Sequence, residues 1–296
     1  MSAKILDGKA TAAEMRSEMK QEIEQLKRDH KLIPGLAVVL VGENPASVSY
    51  VTGKRKACAE VGIFSREENH PATLAEDKLL ALIDELNHDP KIHGILVQLP
   101  LPKHIDEKKV LYAIDPKKDV DGFHPFNVGE MMIGEDTFLP CTPHGILQIL
   151  TRNGIETASR HVVIVGRSNI VGKPLAMMLM QKSKTANATV TVCHTGTKDI
   201  AYHTRQADIV VAAAGRPNTV TADMVRDGVV VVDVGVNRVE DATRKSGYRL
   251  VGDVDFEAIS QKASAITPVP GGVGPMTITM LLYNTIKSAK KTITQK

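Results

Sequence analysis

Ser47, Tyr50 and Lys54 are spaced by three and four residues, so a helix would carry all three on one face. A half-buried lysine with a tyrosine and an amide nearby can be neutral enough for proton transfer. A solvated helix lysine is the plain alternative. Position argues for chemistry. The apolar run Leu36–Val41 ends at Gly42, and Asn44-Pro45 then reads as N-cap and first helical residue of that same helix. Open α/β sheets take their ligands at the carboxyl ends of their strands. Gln98 closes a second apolar run, Gly94–Val97, ahead of Leu99-Pro-Leu-Pro102. Asp119 and Asp121 follow in Lys118-Asp-Val-Asp-Gly-Phe-His124, where an aspartate could accept hydrogen bonds from a ligand's amino and ring N–H groups. Asp119, Asp121, His124 and His144 could also be read as metal ligands. Their spacing matches no standard site, and aspartates beside a glycine turn are common turn formers. No metal is expected.

A second group lies farther along. The apolar run His161–Val165 leads into Gly166-Arg-Ser-Asn-Ile-Val-Gly172 and then a helical pattern. Such a turn lets backbone N–H groups approach a pyrophosphate at a helix N-terminus. The spacing departs from G-x-G-x-x-G, since Ser168 replaces the second glycine and Gly172 comes one residue late. Dinucleotide binding and an ordinary βα turn therefore both remain open. The next strand, Thr189–Cys193, ends in His194-Thr195-Gly196 without the acid that grips the ribose hydroxyl of NAD. Arg167 offers a fork of donors for a 2′-phosphate, which favours NADP, although a surface arginine would look the same. Pro268-Val-Pro-Gly-Gly-Val-Gly-Pro275 precedes the last helix and suits close backbone approach to a ligand, or a plain loop.

The elements that must position these residues alternate between strand and helix patterns in two stretches. That order implies an α/β fold with a mostly parallel sheet in each. Ala12, Met15, Met19, Ile23 and Leu26 recur at helical spacing near the start. Thr73 and Glu76 read as a capping box ahead of Leu79, Leu80, Ile83 and Leu86. Later strands fall at Ile209–Ala213 and Val229–Val232, and the last helix should begin near Gly274-Pro275. Composition shifts to Pro, Gly, Asp and His between Asp115 and Pro143, which places a boundary there. The expected domains are 1–122 and 140–288, with the helix at about 275–288 packing back on the first.

The 296 residues carry 37 Lys+Arg and 34 Asp+Glu, a net charge of +3 without basic clustering, and 3% aromatics with no Trp. Nucleic-acid stacking surfaces are excluded on both counts. Cys58, Cys141 and Cys193 are odd in number and widely spaced, as in a reduced cytoplasmic protein. The longest apolar run is six residues, far short of a membrane span, and no signal pattern opens the chain.

Taken together, the strings resemble one family over about residues 4 to 288. They are Asn44-Pro-Ala-Ser-Val-Ser-Tyr50 with Lys54-Arg-Lys-Ala57, Val97-Gln-Leu-Pro-Leu-Pro102, and Lys118-Asp-Val-Asp-Gly-Phe-His-Pro125. Pro140-Cys-Thr-Pro143, Gly166-Arg-Ser168 with Val171-Gly-Lys-Pro174, and Pro270-Gly-Gly-Val-Gly-Pro-Met-Thr277 complete the set. The chain is similar to the bifunctional methylenetetrahydrofolate dehydrogenase/methenyltetrahydrofolate cyclohydrolases. The resemblance implies two α/β domains flanking a cleft, the C-terminal one a Rossmann-type NADP domain. It implies Lys54 as central catalytic residue, with Tyr50 and Gln98 assisting and Asp121 holding the pterin. Val97, Leu99, Pro270, Gly271, Gly272, Val273 and Gly274 would join them in binding the folate. Gly166, Arg167, Ser168, Thr195 and Val236 would contact NADP, Thr195 standing where some members carry serine. It further implies tetrahydrofolate derivatives as substrates, a homodimer, and a place in one-carbon metabolism serving purine, methionine and histidine biosynthesis.

Overall fold

The computed structural model describes residues 2–244 and 247–294. Its first half runs β1 (Lys4–Ile5), α1 (Gly8–His30), β2 (Gly35–Val41), α2 (Pro45–Val61), β3 (Phe64–His70), α3 (Glu76–His88), β4 (Gly94–Val97), α4 (Glu107–Ala113) and α5 (Pro125–Ile133). The second continues with α6 (Cys141–Arg152), β5 (His161–Val165), α7 (Gly172–Leu179), β6 (Thr189–Cys193), α8 (Ile200–Thr204), β7 (Ile209–Ala212) and β8 (Val230–Asp233). The hairpin β9 (Asn237–Glu240) and β10 (Tyr248–Val251), then α9 (Phe256–Ser260), β11 (Ala265–Ile266) and α10 (Val273–Thr294), close the chain.

Contacts divide the molecule into two compact units, residues 1–12 with 142–277 and residues 13–141 with 278–296. Two boundaries depart from the expected 1–122 and 140–288. The first twelve residues leave the N-terminal domain because β1 pairs in parallel with β11, Ile5 opposite Ile266. The connecting stretch up to Cys141 stays with the unit of residues 13–141 and 278–296, where Asn284 of α10 donates to the Val120 and Leu139 carbonyls at 2.8 and 2.9 Å. The last helix is also longer than expected, starting at Val273 and running to Thr294.

In the unit of residues 13–141 and 278–296, three parallel strands order as β3-β2-β4. All seven β2 residues are buried, as expected of a central parallel strand. Ala37, Val39 and Val41 point to one side and meet Leu79, Ile83 and Leu86 of α3. A parallel bridge from Ile95 to Asp119 lays the next segment beside β4. Asp121 sits in the turn that follows, closed by the Gly122 N–H on the Asp119 carbonyl at 3.2 Å. The Thr73–Glu76 capping box does not form. Ala75 is the N-cap of α3 without a side-chain bond, and Glu76 instead accepts the Asp106 N–H at 2.9 Å and pairs with Lys109.

The other unit holds a six-stranded parallel sheet, β1-β11-β8-β7-β5-β6. From β5 the chain moves first to β6 on one side, then crosses to β7 and β8 on the other. That reversal opens a crevice between β5 and β7 at their carboxyl ends, the ligand position of a doubly wound fold. Alternate residues Val163, Val165, Val210, Ala212 and Val231 fill one face of its core.

Asn284 is 1% exposed, so a replacement that cannot donate leaves the Leu139 carbonyl without this partner and the Val120 carbonyl with only the Cys141 thiol. Asn284→Leu should destabilise its unit by about 2–4 kcal/mol, visible as an earlier urea transition. An unchanged midpoint would show that these bonds do not hold the segment.

Candidate active site

The α2 helix begins as expected: Asn44 Oδ1 accepts the Ser47 N–H at 3.3 Å, and Pro45 fills the first helical position. Winding from there buries Ser47, Val51, Lys54, Cys58 and Val61 along one face. Lys54 is only 8% exposed, and its Nζ donates to Gln98 Oε1 at 3.0 Å. Gln98 is held in turn, its Nε2 donating to the Leu99 carbonyl at 2.8 Å. That second bond fixes which end of the amide faces the lysine.

Burial lowers the Lys54 pKa, because desolvation penalises the ammonium; Asp121, Cys141 and Cys58 oppose it. Burial shifts the amine, while Gln98 supplies a neutral acceptor that fixes where it points. Asp121 is half-buried, and desolvation raises its pKa to about 6 against the pull of Lys54. The Cys141 thiol donates to the Val120 carbonyl at 3.3 Å and lies in hydrogen-bond range of the Asp121 carboxylate. Burial pushes that thiol well up, so it stays protonated and can act as a donor. Sequence reasoning gave Cys141 no site role; its place in Pro140-Cys-Thr-Pro143 was the available signal.

Tyr50 is 49% exposed beside this buried row. Val97 is the last residue of β4, and Leu99 follows Gln98 beyond it. Asp119, by contrast, is structural. Its Oδ2 accepts the His124 N–H and Asn127 Nδ2, both at 2.8 Å, tying the turn to α5. Among the described residues no group of three His, Cys, Asp or Glu is placed to hold a metal.

The remaining candidates belong to the other unit. Gly166 ends β5 with φ 137°, and a Cβ there would run into the Ala213 carbonyl; one at Gly172 would run into the Gly166 carbonyl. These glycines make a turn too tight for side chains, open to close approach of a phosphate. Ser168 Oγ accepts the Val171 N–H at 3.1 Å, stiffening the turn. Arg167 is exposed and contacts His194 at 3.4 Å. Thr195 follows β6, and Val236, half exposed, follows β8, so all five positions lie along one carboxyl edge. The residues fit a dinucleotide. Pro270 to Gly272 lie between β11 and α10, where Gly271 accepts the Lys9 N–H at 3.0 Å, and Val273 and Gly274 open the helix.

Residues 6–121 match the tetrahydrofolate dehydrogenase/cyclohydrolase catalytic domain, and residues 140–293 match the NAD(P)-binding domain of the same family. The chain belongs to that family. The bifunctional protein FolD of Syntrophus aciditrophicus is 60% identical over 290 residues, 98% of each chain. The crystal structure of the bifunctional enzyme FolD from Campylobacter jejuni superposes with a TM-score of 0.92 at 52% identity, covering 98% of this chain and 100% of that one. FolD of Trypanosoma brucei, complexed with NADP cofactor and inhibitor, gives a TM-score of 0.93 at 40% identity and 99% coverage of both.

Because Asp121 is harder to ionise in the fold than in the unfolded chain, its charge costs stability above a pH of about 6. That cost fades as the pH falls toward the ordinary 3.8. Asp121→Asn should therefore melt no lower than the native protein at pH 8, with any gain shrinking as the solution is acidified. Calorimetry checks this, and a clear loss at pH 8 would contradict the assignment of desolvation as the dominant cause.

Proposed function

We propose that this chain oxidises methylenetetrahydrofolate with NADP and then hydrolyses the methenyl product to formyltetrahydrofolate, with Lys54 serving the hydrolysis. The observation that carries the residue assignment is the buried Lys54 amine, held on Gln98 and close enough to Asp121 for the two charges to interact. NADP, when bound, supplies a hydride acceptor for the methylene carbon. For that step the protein's work is alignment, which rests on rigid strand ends.

The hydrolysis needs proton handling, and there the chain's own groups act. The methenyl bridge is a cation, so a protonated lysine beside it would be repelled; burial, which favours the neutral amine, eases that repulsion. The neutral Lys54 amine takes a proton as water attacks the methenyl carbon, a C–O bond forming to give a neutral adduct. It returns that proton to the departing folate nitrogen as the C–N bond breaks, while the carbinol O–H proton passes to water and the C=O bond of the formyl group forms. Gln98 keeps the amine aimed through both transfers. Tyr50, exposed beside it, packs on the substrate's ring system, and Asp121 accepts hydrogen bonds from the pterin amino and ring N–H groups. At the other unit's sheet edge, Gly166 and Ser168 take the pyrophosphate, and Arg167 with Thr195 meets the 2′-phosphate. Val236 packs on the cofactor.

We place the protein in the cytoplasm, since its three cysteines are unbridged and buried and no described helix is long and apolar enough to cross a membrane. We propose a homodimer, testable by light scattering.

Lys54→Met should cut hydrolysis of the methenyl substrate by at least about a hundredfold, the size of a general acid–base contribution, while NADP binding persists. A full hydrolysis rate would remove Lys54 from the mechanism. Arg167→Ala should raise the KM for NADP about tenfold, equivalent to a lost charged hydrogen bond, and leave that for NAD nearly unchanged. An equal effect on both dinucleotides would contradict a 2′-phosphate contact.

A further inference from the structure

Two carboxylates lie buried at the carboxyl edge of the six-stranded sheet, and the chemistry above uses neither. Asp253 is 0% and Asp233 2% exposed. Asp253 Oδ2 accepts the Ala214 and Gly215 N–H groups at 2.6 and 2.8 Å, and its Oδ1 accepts Asn237 Nδ2 at 2.8 Å. Asp233 Oδ1 accepts the Gly235 and Asp253 N–H groups at 3.0 and 2.8 Å, and its Oδ2 accepts the Val254 N–H at 3.1 Å. Among the described residues neither carboxylate forms an ion pair. Burial raises Asp233 to about 6, against the backbone donors that favour its charge.

Two charges buried without a cation are poor stabilisers; what such groups do well is fix geometry. What they fix here is specific. Ala214 and Gly215 continue from Ala213, whose carbonyl abuts Gly166 across the β5/β7 crevice. Gly235 and Asn237 flank Val236 at the end of β8. The fit leaves no slack: a Cβ at Gly252 would run into the Asp233 carboxylate, and one at Gly235 into that of Asp253. A dinucleotide crossing the switch point lays its adenosine half toward β6 and its nicotinamide half toward β7 and β8. The loops held by the two acids are those of the second half.

We infer that Asp253 and Asp233 are positioning residues for the nicotinamide half of NADP, setting the loops after β7 and β8 against which it rests. They touch backbone, not reacting atoms. The inference rests on the proposed placement of NADP at this edge, and the experiment separates the two.

Calorimetric titration of the intact protein with NADP and with 2′,5′-ADP, which lacks the nicotinamide half, provides the test. Asp253→Asn replaces one acceptor oxygen by an amide that faces donors. It should weaken NADP binding about tenfold and leave 2′,5′-ADP within about twofold, the loss of a charged hydrogen-bond set acting on one half only. Hydrolysis of methenyltetrahydrofolate, measured without any dinucleotide, should stay within about twofold of native. If Asp253→Asn fails to fold, Asn237→Ala removes one donor from the same carboxylate and should weaken NADP about threefold, again sparing 2′,5′-ADP. Equal weakening of both ligands, or of neither, overturns the inference. Arg167→Ala is the control for placement: it should weaken both ligands, and if it weakens neither, the NADP site itself has been misplaced.

Discussion

The proposed chemistry depends on keeping one lysine amine out of water without pairing it to an anion. Lys54 is buried on the inward face of α2, where an ammonium is costly, and its direct partner is the uncharged oxygen of Gln98. A carboxylate in that place would have restored the charge and taken away the base. Asp121 acts on the amine only through space, and its own charge is costly there too, so its pKa moves up as that of Lys54 moves down. The two shifts run in opposite directions, and burial thereby narrows the gap between the carboxyl and the amine.

Much of the surrounding unit serves that placement. The Asn44 cap and Pro45 start α2 directly off β2, which sets the rotation that turns Lys54 inward. The β4 strand delivers Gln98 at its end, and the Ile95–Asp119 bridge ties the turn that carries Asp121 to the same strand. Asn284 of α10 pins the intervening carbonyls from behind. The other unit uses the same architectural device for different chemistry. There too the functional candidates follow the last residues of parallel strands, and glycines take the positions where a side chain would close the turn.

Much of this was legible in the residues. The three-and-four spacing of Ser47, Tyr50 and Lys54, the cap before them and the Gly166 turn each announce their local structure, since each follows from near neighbours in the chain. What stayed hidden depends on partners far away in sequence. The β1 strand joins the unit of residues 142–277 through two residues paired with β11, too short a segment for its pattern to reveal a partner. Thr73 and Glu76 have capping-box spacing, but Glu76 finds a better use in the Asp106 N–H and Lys109. Cys141 near Asp121, and the Asp233–Asp253 pair, arise only when separate loops meet, so neither has a local signature.

The most direct test is the titration of Lys54 itself. With lysine side chains labelled for NMR, its ε-carbon and ζ-nitrogen shifts can be followed against pH and assigned by the Lys54→Met variant. The buried, neutrally partnered amine should titrate well below the ordinary lysine value of about 10.4, and Gln98→Glu should move it back up. A Lys54 that titrates at or above the ordinary value in the native protein would contradict the account at its root.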